Sequence, residues 1–217
     1  MQHPGLRLTY LACLALMVIS CAAFPENKMP LVTDLPDQSR FTTKPSVYFA
    51  IRFLTDLSGG KDPPSENTLP LPRIRDVVER VSKEASMFGS YTFESFEATK
   101  ADYVLQIEIT NYGSVGGAVA AGLITGFTFF LVPSAVSDNY RLDAKLLNRN
   151  RDVLKTYSYD DAITTWLGIW LLPLAGKTPK DAFDAILENM TRALFRDLLR
   201  DQILPYSQLH SRVYAES

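Results

Sequence analysis

The stretch Tyr103-Val104-Leu105-Gln106-Ile107-Glu108-Ile109-Thr110-Asn111-Tyr112 decides the fold of this chain of 217 residues. Leu105, Ile107 and Ile109 alternate with polar neighbours, so one side of the extended segment is apolar and the other is polar. This period of two predicts a β-strand with one buried face over residues 103–112. A sheet built from such strands needs another layer to cover its apolar face.

The rest of the chain adds further strands and two amphipathic helices. Helix boundaries are indicated by Pro72 at a start with Gly89 at a stop, and by Thr178 as a cap before Pro179. The patterns predict strands at residues 46–54, 91–96, 140–147 and 153–159, and helices at 72–88 and 179–203. This order predicts an α+β domain over residues 46–204, a two-layer sandwich of a mainly antiparallel sheet with two helices on one face.

Two long runs without charge interrupt this pattern. They define hydrophobic inserts at residues 113–137 and 162–176. Because the strands that flank them end at one edge of an antiparallel sheet, we expect both inserts at one sheet end, where they can touch. Small residues spaced by four allow helices to approach closely, and tryptophans suit a bilayer interface. The residues predicted to form a membrane or interaction surface are Gly117, Gly122, Gly126, Phe129, Phe130, Trp166 and Trp170.

The sequence leaves several arrangements of the inserts open. A membrane span would need two passes, and the second run of 15 residues is shorter than the roughly 17 that a spanning helix requires. Partial insertion into the inner leaflet of the outer membrane is an alternative, as is an interface with a second copy or a protein partner. In the last arrangement, the inserts pack on the sheet face that the two helices leave open.

The first residues of the chain have the features of an export signal. Arg7 precedes an apolar run from Leu8 to Ile19, which is short for a membrane span. The run ends in Val18-Ile19-Ser20-Cys21, which resembles the lipobox of bacterial lipoproteins. The resemblance implies a signal peptide over residues 1–20, cleavage before Cys21 and acylation of Cys21 by fatty acids such as palmitate. An ordinary secretory peptide followed by a chance cysteine is the alternative.

The residues after Cys21 predict a tether and a location. In the lipoproteins that the lipobox resembles, an aspartate after the cysteine retains the protein in the inner membrane, and here Ala22 follows. The resemblance therefore implies a lipid anchor in the outer membrane of a Gram-negative bacterium, facing the periplasm. Residues 21–45 carry four prolines among charged and small residues and predict an extended lipidated tether. Residues 205–217 predict a polar C-terminal tail.

The charge of the chain is nearly balanced. The formal net charge is −2, and without residues 1–20, whose one charged residue is Arg7, it is −3 (21 basic against 24 acidic residues). Such a balance argues against nucleic acid as a partner. Cys21 is the only cysteine after residue 20, so its acylation would leave no thiol for a disulfide.

The sequence contains no arrangement typical of catalysis, metal binding or cofactor binding. His210 is the only histidine after residue 20 and has no cysteine or histidine partner at metal-ligand spacing. Asp160 and Asp161 are adjacent on a predicted strand and point to opposite faces, so we expect a solvated sheet edge there rather than an acid–base pair. The sequence therefore predicts a protein that is not an enzyme and that binds no cofactor or metal.

The segment Ala101-Asp102-Tyr103-Val104-Leu105-Gln106-Ile107-Glu108-Ile109 resembles a strand of certain periplasmic lipoprotein domains. These are related to the curli-secretion lipoprotein, the penicillin-binding-protein activator lipoproteins and the N-terminal domain of the Tol-Pal β-propeller protein. The resemblance covers residues 46–112 and 138–204 and implies the same order of elements. With the inserts, it leads to the hypothesis of a non-enzymatic accessory or scaffold in cell-envelope assembly, binding a protein partner or itself. A lipid or glycolipid carrier, whose inserts line an apolar site, is the alternative.

Overall fold

The computed structural model describes residues 21–36, 38, 41–59, 61–113, 115–128, 131–174 and 176–206. The predicted signal peptide, Phe129, Phe130 and most of the predicted C-terminal tail, including His210, lie outside these ranges. The described part is an α+β sandwich with one open sheet, which confirms the predicted fold class.

The sheet has seven strands within the described residues, in the order β1-β7-β6-β5-β2-β3, and β4 also pairs with β2. Neighbouring strands are antiparallel except for β2, which runs parallel to both β4 and β5. The β2–β5 pair is parallel because the chain crosses over through a helix between them. The strands are β1 (Cys21–Pro25), β2 (Ser46–Asp56), β3 (Ser65–Glu66), β4 (Ser90–Thr92), β5 (Tyr103–Tyr112), β6 (Ser134–Leu147) and β7 (Val153–Leu167).

The helices of the described residues divide into a packed pair and shorter elements near the sheet ends. They are α1 (Leu71–Ala85), α2 (Val115–Phe127), α3 (Pro179–Arg200) and 3₁₀ helices at Ser95–Glu97 and Ile169–Leu174. Helices α1 and α3 cover the sheet face that carries the buried Leu105, Ile107 and Ile109. Thr178 accepts the N–H of Asp181 at 3.2 Å, which is the cap predicted for α3. The predicted pair of helices on one face is confirmed.

The boundaries around Gly89 differ from the prediction. Helix α1 ends at Ala85, because Ser86 takes a left-handed conformation with φ 49°. Gly89 has a different role: a Cβ there would lie 2.8 Å from Lys44 O, so glycine permits a close backbone approach. The strand predicted at residues 91–96 is limited to Ser90–Thr92 and is followed by the first 3₁₀ helix.

The hairpin of β6 and β7 is longer than predicted. β6 begins at Ser134, six residues before Tyr140, and β7 continues to Leu167, eight residues beyond Tyr159. The outer parts of these extensions, residues 134–137 and 162–167, belong to the uncharged runs, so part of each predicted insert is strand. Both faces of these outer parts carry uncharged side chains, which weakens the polar–apolar alternation that marks a strand in the sequence.

The N-terminal segment is packed on the domain, so the prediction of a tether over residues 21–45 is wrong for its first part. Residues Cys21–Pro25 form β1, which pairs antiparallel with β7 from the Cys21–Leu167 pair to the Pro25–Ile163 pair. Ala22 and Ala23 are buried there. Small residues followed by proline have the composition of a linker, but proline is also tolerated on an edge strand such as β1.

Asp161 holds the chain that follows β1. Its Oδ1 accepts the N–H of Lys28 at 3.1 Å and that of Ala162 at 2.8 Å. Asp161 is buried, so the predicted solvated edge is wrong for this residue. Asp160 is exposed on the opposite face and accepts a hydrogen bond from Arg141, which confirms that the two carboxylates diverge.

Asn189 of α3 holds the next part of the same segment. Its side chain accepts the N–H of Val32 at 2.8 Å and donates to Pro30 O at 3.3 Å. Asn189 and Val32 are both buried. Residues 21–32 are therefore joined to both layers of the sandwich, to β7 in the sheet and to α3 above it.

The folded part also continues past residue 204. Leu204 is buried, and the ring of Tyr206 lies 5.3 Å from the ring of Phe41. The predicted polar tail therefore begins no earlier than residue 207, and residues 207–217 lie outside the described residues.

Candidate functional site

Both predicted inserts lie at one end of the sheet and touch, as the topology predicts. In the last row of the sheet, Leu167 of β7 pairs with Cys21 on one side and with Ser134 of β6 on the other. Trp170 Nε1, in the second insert, donates to Leu131 O, in the first, at 3.1 Å. We call the surface formed by α2, residues 131–133, Trp166 and the 3₁₀ helix Ile169–Leu174 the apolar end.

Helix α2 is fixed to the sheet by a close turn and by hydroxyl groups. A Cβ at Gly113 would lie 2.9 Å from a methyl of Leu57, so glycine allows the chain to leave β5 tightly. Ser134 Oγ donates to Ala121 O at 3.1 Å and also contacts the hydroxyl of Thr125. Ala121 and Thr125 are buried, and they form the side of α2 that faces β6.

The remaining sides of the apolar end are exposed. Phe127 is 91% exposed and Trp170 is 70% exposed, whereas Trp166, between Ala22 of β1 and Ala135 of β6, is 42% exposed. Exposed apolar groups that are contiguous, rather than scattered, indicate an interaction surface. Within the described ranges, no helix combines the length and the apolar character that crossing a membrane requires. The exposed large apolar residues of this end are Val119, Leu123, Ile124, Phe127, Leu131, Val132, Trp166, Trp170 and Leu174.

The predicted glycines lie in α2, and two of them face open space among the residues that the structure describes. For a Cβ built at Gly122 or Gly126, no described atom outside the helix backbone lies within 4 Å. Ala118, Gly122 and Gly126 follow one another at every fourth residue, and we call this exposed strip the small-residue flank. Gly117 also lies in α2, close to its start. Phe129 and Phe130 follow α2 outside the described residues.

The inserts do not cover the centre of the open sheet face. Arg52, Gln106 and Lys145 are exposed there and line a shallow groove of about 550 Å³ together with Glu108 and Asp143. The arrangement in which the inserts pack over this face is therefore wrong for its centre. The groove is lined by both signs of charge, and it differs in chemistry from the apolar end.

Charged groups begin at a distance from the end row of the sheet. The first charged residue of β6 is Asp138, four residues from Ser134, and that of β7 is Asp161, six residues from Leu167. Glu26 is the first charged residue after Cys21 on the N-terminal side and directly follows β1. Burial raises the pKa of Asp138, and burial together with that charge raises the pKa of Tyr140 to about 12. A hydrogen bond from the Thr164 hydroxyl lowers the pKa of Glu26. Of these three carboxylates Glu26 is exposed, Asp138 is half-buried and Asp161 is buried.

Cys21 is partly exposed and carries a free thiol at the start of β1. The N–H of Ala23, two residues later, donates to Lys177 O at 2.8 Å, immediately after the second insert. The acylation site predicted from the lipobox is therefore joined to the apolar end by the sheet itself. Sequence reasoning missed this connection, because Ala22 and Ala23 carry no strong strand signal.

No group of three or more residues able to ligate a metal occurs among the residues that the structure describes. The buried carboxylates found there have structural partners. Asp161 accepts backbone N–H groups, and Asp197 accepts the hydroxyl of Tyr159 at 2.9 Å. Burial is the main reason that the pKa of Tyr159 is raised, and the hydrogen bond to Asp197 and the charge of that carboxylate raise it further.

Comparison with known proteins finds distant structural likenesses only. No protein-family model matches the chain, and no curated protein matches it. The chain is similar to a minor lipoprotein from Acinetobacter baumannii at 10% identity and a TM-score of 0.41, covering 76% of this chain and 98% of that one. It is also similar to two structures of the PelC dodecamer from Paraburkholderia phytofirmans. One has 9% identity and a TM-score of 0.36, covering 76% of this chain and 96% of that one. The other has 10% identity and a TM-score of 0.34, covering 81% and 98%. At these TM-scores the likeness carries no argument about function.

Proposed function

We propose that this protein is a non-enzymatic lipoprotein of the bacterial outer membrane, anchored through Cys21 and facing the periplasm. In this proposal it acts as an accessory or scaffold in envelope assembly and binds a protein partner or a second copy through its apolar end. The observation that carries the proposal is the position of Cys21, which pairs with Leu167 in the row of the sheet where β7 ends, two residues before the 3₁₀ helix of the second insert.

The position of Cys21 supports a role at the membrane surface. Acyl chains on Cys21 would bring the end row of the sheet to the bilayer, because β1 leaves no free chain between the cysteine and the folded domain. The apolar end would then lie where other membrane-bound proteins can reach it. The side chains that the structure describes at the apolar end are uncharged and carry no nucleophile other than hydroxyls, which suits a binding surface better than a reactive cleft.

The small-residue flank of α2 supports the binding of a protein. Ala118, Gly122 and Gly126 are exposed, and small residues at this spacing allow another helix to approach closely. In the carrier alternative the inserts would line an apolar cavity. The groove described above is lined by strands of the open sheet face and not by the inserts, and charged residues of both signs take part in its lining, so it does not support the carrier.

Site-specific photo-crosslinking in intact cells tests the proposal. A photoreactive side chain at Ala118 is expected to give a discrete adduct, either with a second copy or with one defined protein. Gly122→Leu should abolish that adduct, because the leucine side chain blocks close approach. The same probe at Lys145, on the open sheet face, is the matched control. Absence of any protein adduct at Ala118, or equal adducts at Lys145, would contradict partner binding through the apolar end.

A further inference from the structure

We propose that the large apolar side chains of the apolar end are seated in the membrane leaflet that holds the acyl chains of Cys21. This inference rests on the proposed lipid anchor and adds a second, non-covalent membrane contact. The large apolar side chains of the apolar end contact lipid, whereas the small-residue flank of α2 stays available for a protein. The helix would lie in the interface rather than cross it, which agrees with its 13 residues.

The tie between Cys21 and the apolar end identifies lipid as the occupant. Cys21 lies in β1 and pairs with Leu167, and the part of the second insert that leaves the sheet begins directly after that residue. An acyl chain on this cysteine therefore enters the bilayer beside the 3₁₀ helix of the second insert. With a flexible linker the domain could turn its apolar end away from the lipid, but a hydrogen-bonded strand holds it in place.

The chemistry of the exposed side chains fits the same occupant. Leu123, Phe127 and Leu131 are exposed, and the two inserts contain no charged residue. Trp170 adds an amphipathic ring whose N–H is already bonded to Leu131 O, so its burial in lipid leaves no donor unpaired. Charged side chains in hydrocarbon are costly, and the apolar end has none.

The distribution of charge defines a boundary for this contact. On β6 the first charged residue is Asp138, four residues from the end row, which corresponds to about 13 Å at the rise of a β-strand. Lys177 follows the second insert, at the level of Ala23. A lysine at this level can extend its ammonium group to anionic headgroups while its stem covers apolar surface. The surface of the leaflet would thus lie between the level of Lys177 and the end row of the sheet, formed by Cys21, Leu167 and Ser134.

Tryptophan fluorescence provides a direct test, because both tryptophans of the chain lie at the apolar end. The acylated protein is reconstituted into vesicles of phosphatidylethanolamine and phosphatidylglycerol with brominated acyl chains, which quench tryptophans inside the bilayer. In Trp166→Phe, the emission of Trp170 is expected to fall to a small fraction of its value in unbrominated vesicles. It should also become inaccessible to iodide in the water.

Phe127→Asp gives a second readout with a matched control. Phe127 ends α2 and is 91% exposed, so the substitution spares the core, and its charge should withdraw the apolar end and restore most of the Trp170 emission. Phe96→Asp makes the same change at a residue that is 75% exposed near the opposite end of the sheet, and it should leave the quenching unchanged. Equal effects of the two variants would overturn the proposal.

The outcomes separate this inference from the lipid anchor. Trp170 that is accessible to iodide and unquenched by bromine would show a solvated end and overturn the inference. Trp170 that is protected from both quenchers would show a protein cover, such as a second copy, and also overturn it. The mass of the N-terminal peptide reports acylation independently. Quenching of an unacylated chain would support the membrane seat while refuting the anchor.

Discussion

Asn189→Ala tests whether the N-terminal segment is an integral part of the domain. The Asn189 side chain accepts the N–H of Val32 at 2.8 Å and donates to Pro30 O at 3.3 Å, and it is 5% exposed. Its removal leaves a buried N–H and a carbonyl without these partners. An unsatisfied buried group costs about 1–3 kcal/mol, and the shorter bond dominates, so we expect the segment to lose about 2 kcal/mol.

Hydrogen exchange followed by mass spectrometry measures this loss at the segment itself. A loss of about 2 kcal/mol corresponds to roughly 30-fold faster exchange in peptides covering residues 21–36, while β5 should stay protected. Asn139→Ala is the control: Asn139 also contacts the segment, accepting a 2.8 Å bond from Lys28 Nζ, but it is exposed. It should change stability by less than about 0.5 kcal/mol. An unchanged exchange rate for residues 21–36 in Asn189→Ala would contradict the conclusion that this segment is packed on the domain, and it would support the extended tether predicted from the sequence.

Three further predictions concern the backbone, pH and the exposed helix. Gly89→Ala should destabilise the fold, because its Cβ would lie 2.8 Å from the backbone oxygen of Lys44; unaltered urea unfolding would contradict this contact. In Gly122→Ala, the added methyl meets no described atom, so the helix should gain about 0.5–1 kcal/mol in the same assay, and a loss would contradict its exposure. Hydrogen bonds from Ser46 lower the pKa of Asp102 in the folded state. The ionised carboxylate therefore stabilises the fold above the ordinary aspartate pKa of about 3.9, and this stabilisation is lost as the pH falls through the lower pKa of the folded state. Asp102→Asn should therefore flatten the acid limb of the stability–pH curve, and an unaltered limb would contradict this role.

The central strand shows what a sequence pattern can establish. Residues 103–112 were predicted as a strand with one buried face, and β5 spans the same residues with Leu105, Ile107 and Ile109 buried. The prediction succeeds because polar and apolar side chains alternate where one face meets helices and the other meets water. Residues 134–137 of β6 and 162–167 of β7 lack this contrast, since both of their faces carry uncharged residues. Their uncharged composition therefore predicts that they belong to the inserts rather than to the strands.

The N-terminal segment shows what the sequence conceals. Ala22 and Ala23 are buried because they lie at a crowded sheet edge, a property of their neighbours rather than of alanine. Asp161 and Asn189 are polar residues whose partners lie 133 and 157 positions away in the chain, and no local pattern indicates such bonds. The surface of the apolar end could be predicted from its uncharged composition. Its connection to Cys21 required the pairing of β1 with β7.

The most direct test of the account is the intact mass of the N-terminal peptide from the protein isolated from cell envelopes. The account predicts a mature chain that begins at Cys21 and bears fatty acyl groups, and accumulation of the uncleaved precursor when lipoprotein signal peptidase is inhibited with globomycin. A peptide that begins elsewhere, or a Cys21 with an unmodified thiol and amine, would contradict it.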